Sequence, residues 1–365
     1  MTTNTEERVT AFLEGMAASI ELPGVRVPDR VRRGTRRRMA GWGAMTALVA
    51  GAVPAVAVLA LRVLPGEHLP LVGRGERIAF FRAADGPVRI WVMEPDGSAQ
   101  QPVSPAGVFA VEASWSPDGE RILYVRTNGD GNAGNWRLQI LDLRSGDVET
   151  LPRPPSGSPS SAVWSPDGSK IAFVDAIPGD DPGTYAGSGL YLISPSGKDL
   201  RLLIDEVGSN ISWSPDGREI VFERWVRNTS GEPSEAEHSV EGLWAVNVAT
   251  RSLRQITDFD GDGPAWSPDG TLIAYSDGAT AIWVVNADGT GGHRPVTDLP
   301  PDTGFAPERE VFGAQWSPDG TWISFCSDAT SPGHHDLYKI HPDGTGLVQL
   351  METPEYECGA QWRPV

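Results

Sequence analysis

The sequence predicts an all-β protein: a six-bladed β-propeller with its C-terminal strand closing the first blade, preceded by one N-terminal transmembrane helix. Three observations predict it. A pentapeptide recurs five times at a nearly constant interval, a surplus C-terminal strand matches one missing near the N-terminus, and one stretch of 23 residues carries no charge. The expected organisation is a tail with a short amphipathic helix over 1–38, a membrane helix over 39–62, a linker over 63–73 and the propeller over 74–365.

Trp-Ser-Pro-Asp-Gly begins at Trp115, Trp164, Trp213, Trp266 and Trp316, with spacings of 49, 49, 53 and 50, and an eroded copy starts 46 residues later at Trp362. Such an interval holds four short strands, one propeller blade. Ser-Pro-Asp-Gly is turn chemistry: proline presets φ, aspartate bonds nearby backbone, and glycine takes the left-handed position. The tryptophan therefore ends one strand. The β-branched and aromatic run after each glycine, such as Lys170-Ile171-Ala172-Phe173-Val174, makes the next. A third run follows in every repeat, Leu190-Tyr191-Leu192-Ile193 being typical, and then a second turn such as Pro195-Ser196-Gly197 and a short fourth strand.

Counting strands gives the closure. Arg77-Ile78-Ala79-Phe80-Phe81 reads as a second strand with no tryptophan strand ahead of it, while Gly359-Ala360-Gln361-Trp362, close to Gly313-Ala314-Gln315-Trp316, is left over. Pairing the two completes a ring and removes open sheet edges. Cys326 and Cys358 then fall on one face of the disc in adjacent blades. A disulfide there would lock the closure; the alternative is two buried thiols.

On these motifs the repeat resembles the WD40-like propeller repeat of the TolB family over roughly residues 71–365. The resemblance implies a fold more than an activity, because similar blades occur in TolB, in propeller domains of prolyl-oligopeptidase-like peptidases, and in exported binding proteins and lyases. TolB proper carries a separate α/β domain before its propeller, where this chain has about 70 residues. No Gly-x-Ser-x-Gly or phosphate-binding glycine motif appears, which reads away from a peptidase. The expected function is a non-enzymatic protein- or ligand-binding module of the cell envelope. The alternatives are a metal-assisted lyase or lactonase acting on an envelope carbohydrate or lactone, and a sensor coupling outside binding to the cytosolic helix.

The anchor rests on residues 39–61, long enough at about 1.5 Å per residue to cross a hydrocarbon core of about 30 Å. Arg30, Arg32, Arg33, Arg36, Arg37 and Arg38 precede it and only Arg62 follows, so the positive-inside rule places the N-terminus in the cytoplasm and the propeller outside. A cleaved export signal ending near Ala55-Val56-Ala57 is the alternative. Over residues 5–20, Val9, Phe12, Leu13, Met16 and Ile20 form one stripe, an expected contact for a cytosolic partner or the bilayer.

The formal charge is −18, and beyond residue 70 the chain carries 21 basic against 42 acidic side chains. That balance excludes nucleic acid as a partner and favours a basic partner, cations or plain solubility.

By strand alternation the Ser-Pro-Asp-Gly turns and the third-to-fourth-strand turns share one face. The long connections 127–135, 175–189, 223–242 and 297–313 share the other, where binding is expected. Asp175, Asp277 and Asp328 follow second strands, with Arg82, Arg126 and Arg224 near the same level. They are binding candidates at the channel mouth, or else ion pairs between blades. His334-His335-Asp336 offers metal-ligand types, although adjacent histidines in a strand point apart, and His334 joins the binding candidates. Asp258, Asp260 and Asp262 have the oxygen rhythm of a calcium loop, but the twelfth position, Asp269, sits in a turn on the opposite face. No other cofactor is expected.

Overall fold

The structure, a computed structural model, describes residues 75–364 apart from 84–85, 128–135, 179–184, 228–237, 260, 278–280, 292–293, 297–309 and 329–334. The expected tail helix, membrane helix and linker lie outside the described residues. No helix among the described residues is long and apolar enough to cross a membrane.

Three strands come first: β1 (Ile78–Ala83), β2 (Arg89–Met93) and β3 (Gln101–Pro102). Four per repeat follow. They are β4 (Phe109–Trp115), β5 (Arg121–Thr127), β6 (Arg137–Asp142) and β7 (Val148–Thr150), then β8 (Ser160–Trp164), β9 (Ile171–Pro178), β10 (Tyr185–Ile193) and β11 (Arg201–Asp205). The fourth repeat has β12 (Val207–Trp213), β13 (Glu219–Arg227), β14 (His238–Asn247) and β15 (Leu253–Gln255), and the fifth β16 (Asp262–Trp266), β17 (Leu272–Ser276), β18 (Ile282–Asn286) and β19 (Arg294–Pro295). The sixth has β20 (Val311–Trp316), β21 (Ile323–Ser327), β22 (Asp336–Ile340) and β23 (Val348–Gln349), and β24 (Tyr356–Trp362) remains. β24 pairs antiparallel with β1, Ile78 opposite Trp362, so blade 1 is β24-β1-β2-β3 and six four-stranded sheets close the ring as expected.

The turn motif works through its hydroxyl and carboxylate. In the second copy Ser165 Oγ donates to Asp167 Oδ1 at 2.6 Å, Lys170 N donates back to Ser165 Oγ at 2.9 Å, and Ser169 N donates to Asp167 Oδ1 at 3.0 Å. These bonds, led by Ser165, hold the Asp167 carboxyl down to about 2. Each glycine of the motif sits in the left-handed region, as Gly168 does at φ 69°.

The core is periodic too. The third residue of each apolar second-strand run is aromatic: Phe80, Tyr124, Phe173, Phe222, Tyr275 and Phe325 are all essentially inaccessible. Burying each contributes about 1.5–3 kcal/mol, so the six together outweigh any single turn. Cys326 and Cys358 form a disulfide between blades 6 and 1, Cα atoms 5.6 Å apart, in line with the closing lock.

Two expected loops need correction. Most of 175–189 is ladder, with Asp175 opposite Gly189 and Pro178 opposite Tyr185, and half of 223–242 lies in strands, with Glu223 opposite Leu243 and Arg227 opposite His238. The first acidic residue after an apolar run marks no strand end here, because Asp175 and Glu223 are themselves buried within the strands. The ladders of blades 3 and 4 therefore run past the points at which those of blades 2 and 5 end, Arg126 opposite Arg137 and Ser276 opposite Ile282.

Candidate functional site

Each expected aspartate on the long-loop face anchors backbone. Asp175 accepts Ser156 N at 2.9 Å and Ser158 N at 3.2 Å, and also the Ser156 hydroxyl, fixing the approach to blade 3. Burial pushes its carboxyl up against the pull of those bonds. Asp277 accepts Ala281 N at 3.0 Å and Trp283 Nε1 at 3.3 Å, and Asp328 accepts Glu310 N at 2.9 Å. Among the described residues no hydrogen bond or ion pair joins the three to one another.

The arginines divide. Arg82 pairs with Glu357 at 2.8 Å and lies over Trp91 at 4.6 Å. Arg224 pairs with Glu206 at 2.9 Å and lies over Trp244 at 4.6 Å. Arg82 is paired inside its own blade, and Arg224 with the residue that leads into β12. Arg126 is exposed at the end of β5, opposite Arg137 on β6.

His334 and Asp260 lie outside the described residues. His335 is buried, its ring 4.9 Å from Tyr356 and 5.1 Å from Phe312, with Nε2 3.4 Å from Glu310 Oε2. The adjacent Asp336 takes a different partner, Gln349 Nε2 at 3.0 Å. Asp262 accepts Asn210 Nδ2 at 3.1 Å from blade 4, while Asp258 is exposed. Among the described residues no three His, Cys, Asp or Glu side chains converge as metal ligands.

The structure brings forward a ring that the sequence reading missed. Three residues before each repeat tryptophan the innermost strand enters the left-handed region: Glu112 at φ 56°, Ser161 at 50°, Asn210 at 58°, Gly263 at 60°, Gly313 at 72° and Gly359 at 69°. The ladder shifts register around each, a β-bulge repeated six times around the axis. In blades 2 to 4 the side chain reaches the next blade. Ser161 N donates to Glu112 Oε2 at 2.6 Å, Asn210 N donates to Ser161 Oγ at 3.0 Å, and Asn210 donates on to Asp262. Burial pushes the half-buried Glu112 carboxyl up to about 7 against the Ser161 bond that lowers it. The signal was present: aligning the tryptophans puts glycine at this position in three copies.

A second missed cluster lies at the closing seam on the long-loop face, where Glu310, Asp328, His335, Tyr356 and Glu357 meet. Burial raises the Tyr356 hydroxyl, and the Glu310 and Asp328 charges raise it further. Burial also raises the Glu357 carboxyl, against the lowering pull of Thr353 and Arg82.

No family model matches the chain, and no curated protein does. Solved structures do. TolB from Acinetobacter baumannii is similar over 79% of this chain and 67% of its own, at 17% identity and a TM-score of 0.60. A structure assigned as TolB from Agrobacterium tumefaciens is similar over 79% of this chain and 98% of its own, at 20% identity and a TM-score of 0.56. A chain of a nidogen/laminin complex reaches the same coverage and TM-score 0.56 at 11% identity. The chain therefore has the TolB-like six-bladed propeller fold that its repeat predicts.

Proposed function

We propose that this chain is a membrane-anchored, extracytoplasmic propeller acting as a non-enzymatic binding module, which takes an envelope protein or ligand on the face where the blade 3 and blade 4 hairpins project. The asymmetry of the disc carries the reading. One face is built from near-identical turns, whereas the other bears β9–β10 and β13–β14 running past their neighbours. A rigid scaffold with irregular elements at one end is the usual arrangement of a binding protein. Asp175, Asp277 and Asp328 each accept hydrogen bonds from nearby residues, so the reading rests on the projecting hairpins and not on these carboxylates. The anchor is supported by the uncharged stretch 39–61 and the arginines before it.

The test is capture from an envelope extract by the propeller, comparing the parent with a variant in which 226–240 is replaced by a two-residue turn. Loss of the captured partner with unchanged melting supports the reading. Capture retained by that variant, and lost from a folded variant of the short-turn face, sinks it. For the anchor, protease added to spheroplasts should digest the propeller and spare residues 1–38. A mature N-terminus near residue 58 would remove it.

A further inference from the structure

The point at which the chain enters the propeller decides which way a tethered disc can face. Ile78, the first residue of β1, lies opposite both Trp362 and Met93, so the residues before it stand at the short-turn end of blade 1. They are tied there. Arg363 N donates to Arg77 O at 2.8 Å, Arg363 Nη1 donates to Gly75 O at 3.4 Å, and Arg77 pairs with Glu94 in the turn between β2 and β3. In blade 4 Ile220 holds the place of Ile78, opposite its own repeat tryptophan, and β13 runs from there to Arg227 at the far face. The chain therefore arrives on the short-turn face, and the projecting hairpins point the other way.

Chain length turns that placement into a constraint. Only residues 63–74 separate Arg62, which follows the uncharged stretch, from Gly75. At no more than about 3.6 Å per residue these twelve reach at most about 43 Å. With the long-loop face toward the bilayer, Gly75 would lie a full blade height away, and β13 alone, nine residues long, rises about 30 Å. From β1 the chain would also pass outward over β2 and β3, two spacings of about 4.8 Å, before running down the rim. That route uses almost the whole extended length. The opposite orientation needs none of it. Nor does the short-turn face suit direct contact with anionic lipid. Its five Ser-Pro-Asp-Gly-x segments and its turns 94–98, 143–147, 194–198, 248–252, 287–290 and 341–345 hold eleven acidic side chains against Arg144, Lys198, Arg218 and Arg251. A negative surface repels such a face over about 10 Å at ordinary ionic strength, so the disc stands off on its tether.

We propose that the propeller stands over its anchoring bilayer with the short-turn face toward the lipid, so that the blade 3 and blade 4 hairpins are offered to a protein that approaches from the far side. This orientation rests on the proposed anchor at 39–61 and sharpens the binding reading. The long-loop face then fits a partner outside the anchoring bilayer, and does not fit a protein embedded beside the anchor.

The test is energy transfer from the full-length protein, reconstituted into phosphatidylglycerol vesicles, to an acceptor dye on the lipid headgroups. Both native cysteines are joined in the disulfide, so an introduced cysteine is the only free thiol. Lys198→Cys and Arg218→Cys carry the donor dye on the short-turn face, Arg126→Cys and Asp258→Cys on the long-loop face, all at exposed positions. Transfer from the first pair should exceed that from the second at least about twofold, because the faces lie a strand length apart. Equal transfer from both faces, or stronger transfer from the long-loop labels, overturns the orientation. Flotation of the same samples reads the anchor separately. Protein that sediments free of the vesicles removes the anchor and the orientation with it, whereas protein that floats with reversed transfer removes the orientation alone.

Discussion

Blades 2 to 4 and blades 5, 6 and 1 share one backbone conformation in their innermost strands and fill it with opposite chemistry. The first arc places Glu112, Ser161 and Asn210 in the left-handed region, and the second places Gly263, Gly313 and Gly359 there. A left-handed residue with a Cβ costs about 1–2 kcal/mol, which glycine avoids. In the first arc each side chain offsets that cost through a bond to the next blade, worth about 0.5–1.5 kcal/mol net. The second arc includes the closure of the ring. A Cβ on Gly263 would stand 3.4 Å from Gly313 N, and the Cys326–Cys358 disulfide supplies the cross-blade tie. One backbone requirement thus has two solutions, by absence of a side chain or by a side chain with a partner.

The strongest way to break this comparison is to open the closing arc. Ending the chain before Tyr356 leaves β1 without its inner neighbour and exposes its hydrogen-bonding edge. The soluble propeller should lose its single calorimetric transition or aggregate. If it melts like the parent, closure through β24 contributes nothing.

Replacing both cysteines by serine should cost about 3–4 kcal/mol, the chain-entropy value for a loop of this length. The disulfide spans 32 residues. Denaturant midpoints measure the loss, and reductant should lower the parent to the same value while leaving the double variant unmoved.

Gly313→Ala should cost about 1–2 kcal/mol, since φ at 72° penalises any Cβ. Asn210→Gly, at the equivalent place in the polar arc, should come out near neutral, strain relief offsetting a lost hydrogen bond. Similar losses at both sites would erase the distinction between the arcs.

The smallest effect is a pH dependence confined to the polar arc. The Glu112 carboxyl is raised from its ordinary 4.5 to about 7 by burial, so its contribution to stability is fully present below about 4.5 and is lost as pH rises through 7. Glu112→Gln should therefore gain on the parent between pH 5 and pH 8, by on the order of 1 kcal/mol after allowing for partial exposure. Parallel stability curves over that range would show that the group does not titrate there.

Much of the fold was legible because its signals are local and repeated. Each Trp-Ser-Pro-Asp-Gly carries its own turn, each following run its own aromatic core residue, and the spare Trp362 strand points to its gap by count alone. The candidate site was less legible. Asp175 and Glu223 read as strand ends because acidic residues usually mark solvent, and only the Ser156 and Ser158 bonds explain why Asp175 tolerates burial.

The sequence by itself determined the blade count, the strand order within each blade and the closing pair, because periodic turns and alternating apolar runs depend on near neighbours in the chain, and it left the cysteines open between a disulfide and two buried thiols. Tertiary structure alone decided which equivalent positions differ in role. Whether Glu112 meets Ser161 N, whether Ser161 Oγ meets Asn210 N, and whether Arg121 covers Trp164 depend on residues about 50 positions apart brought together by blade packing. Their partners are set by distance in space, which no repeat interval encodes.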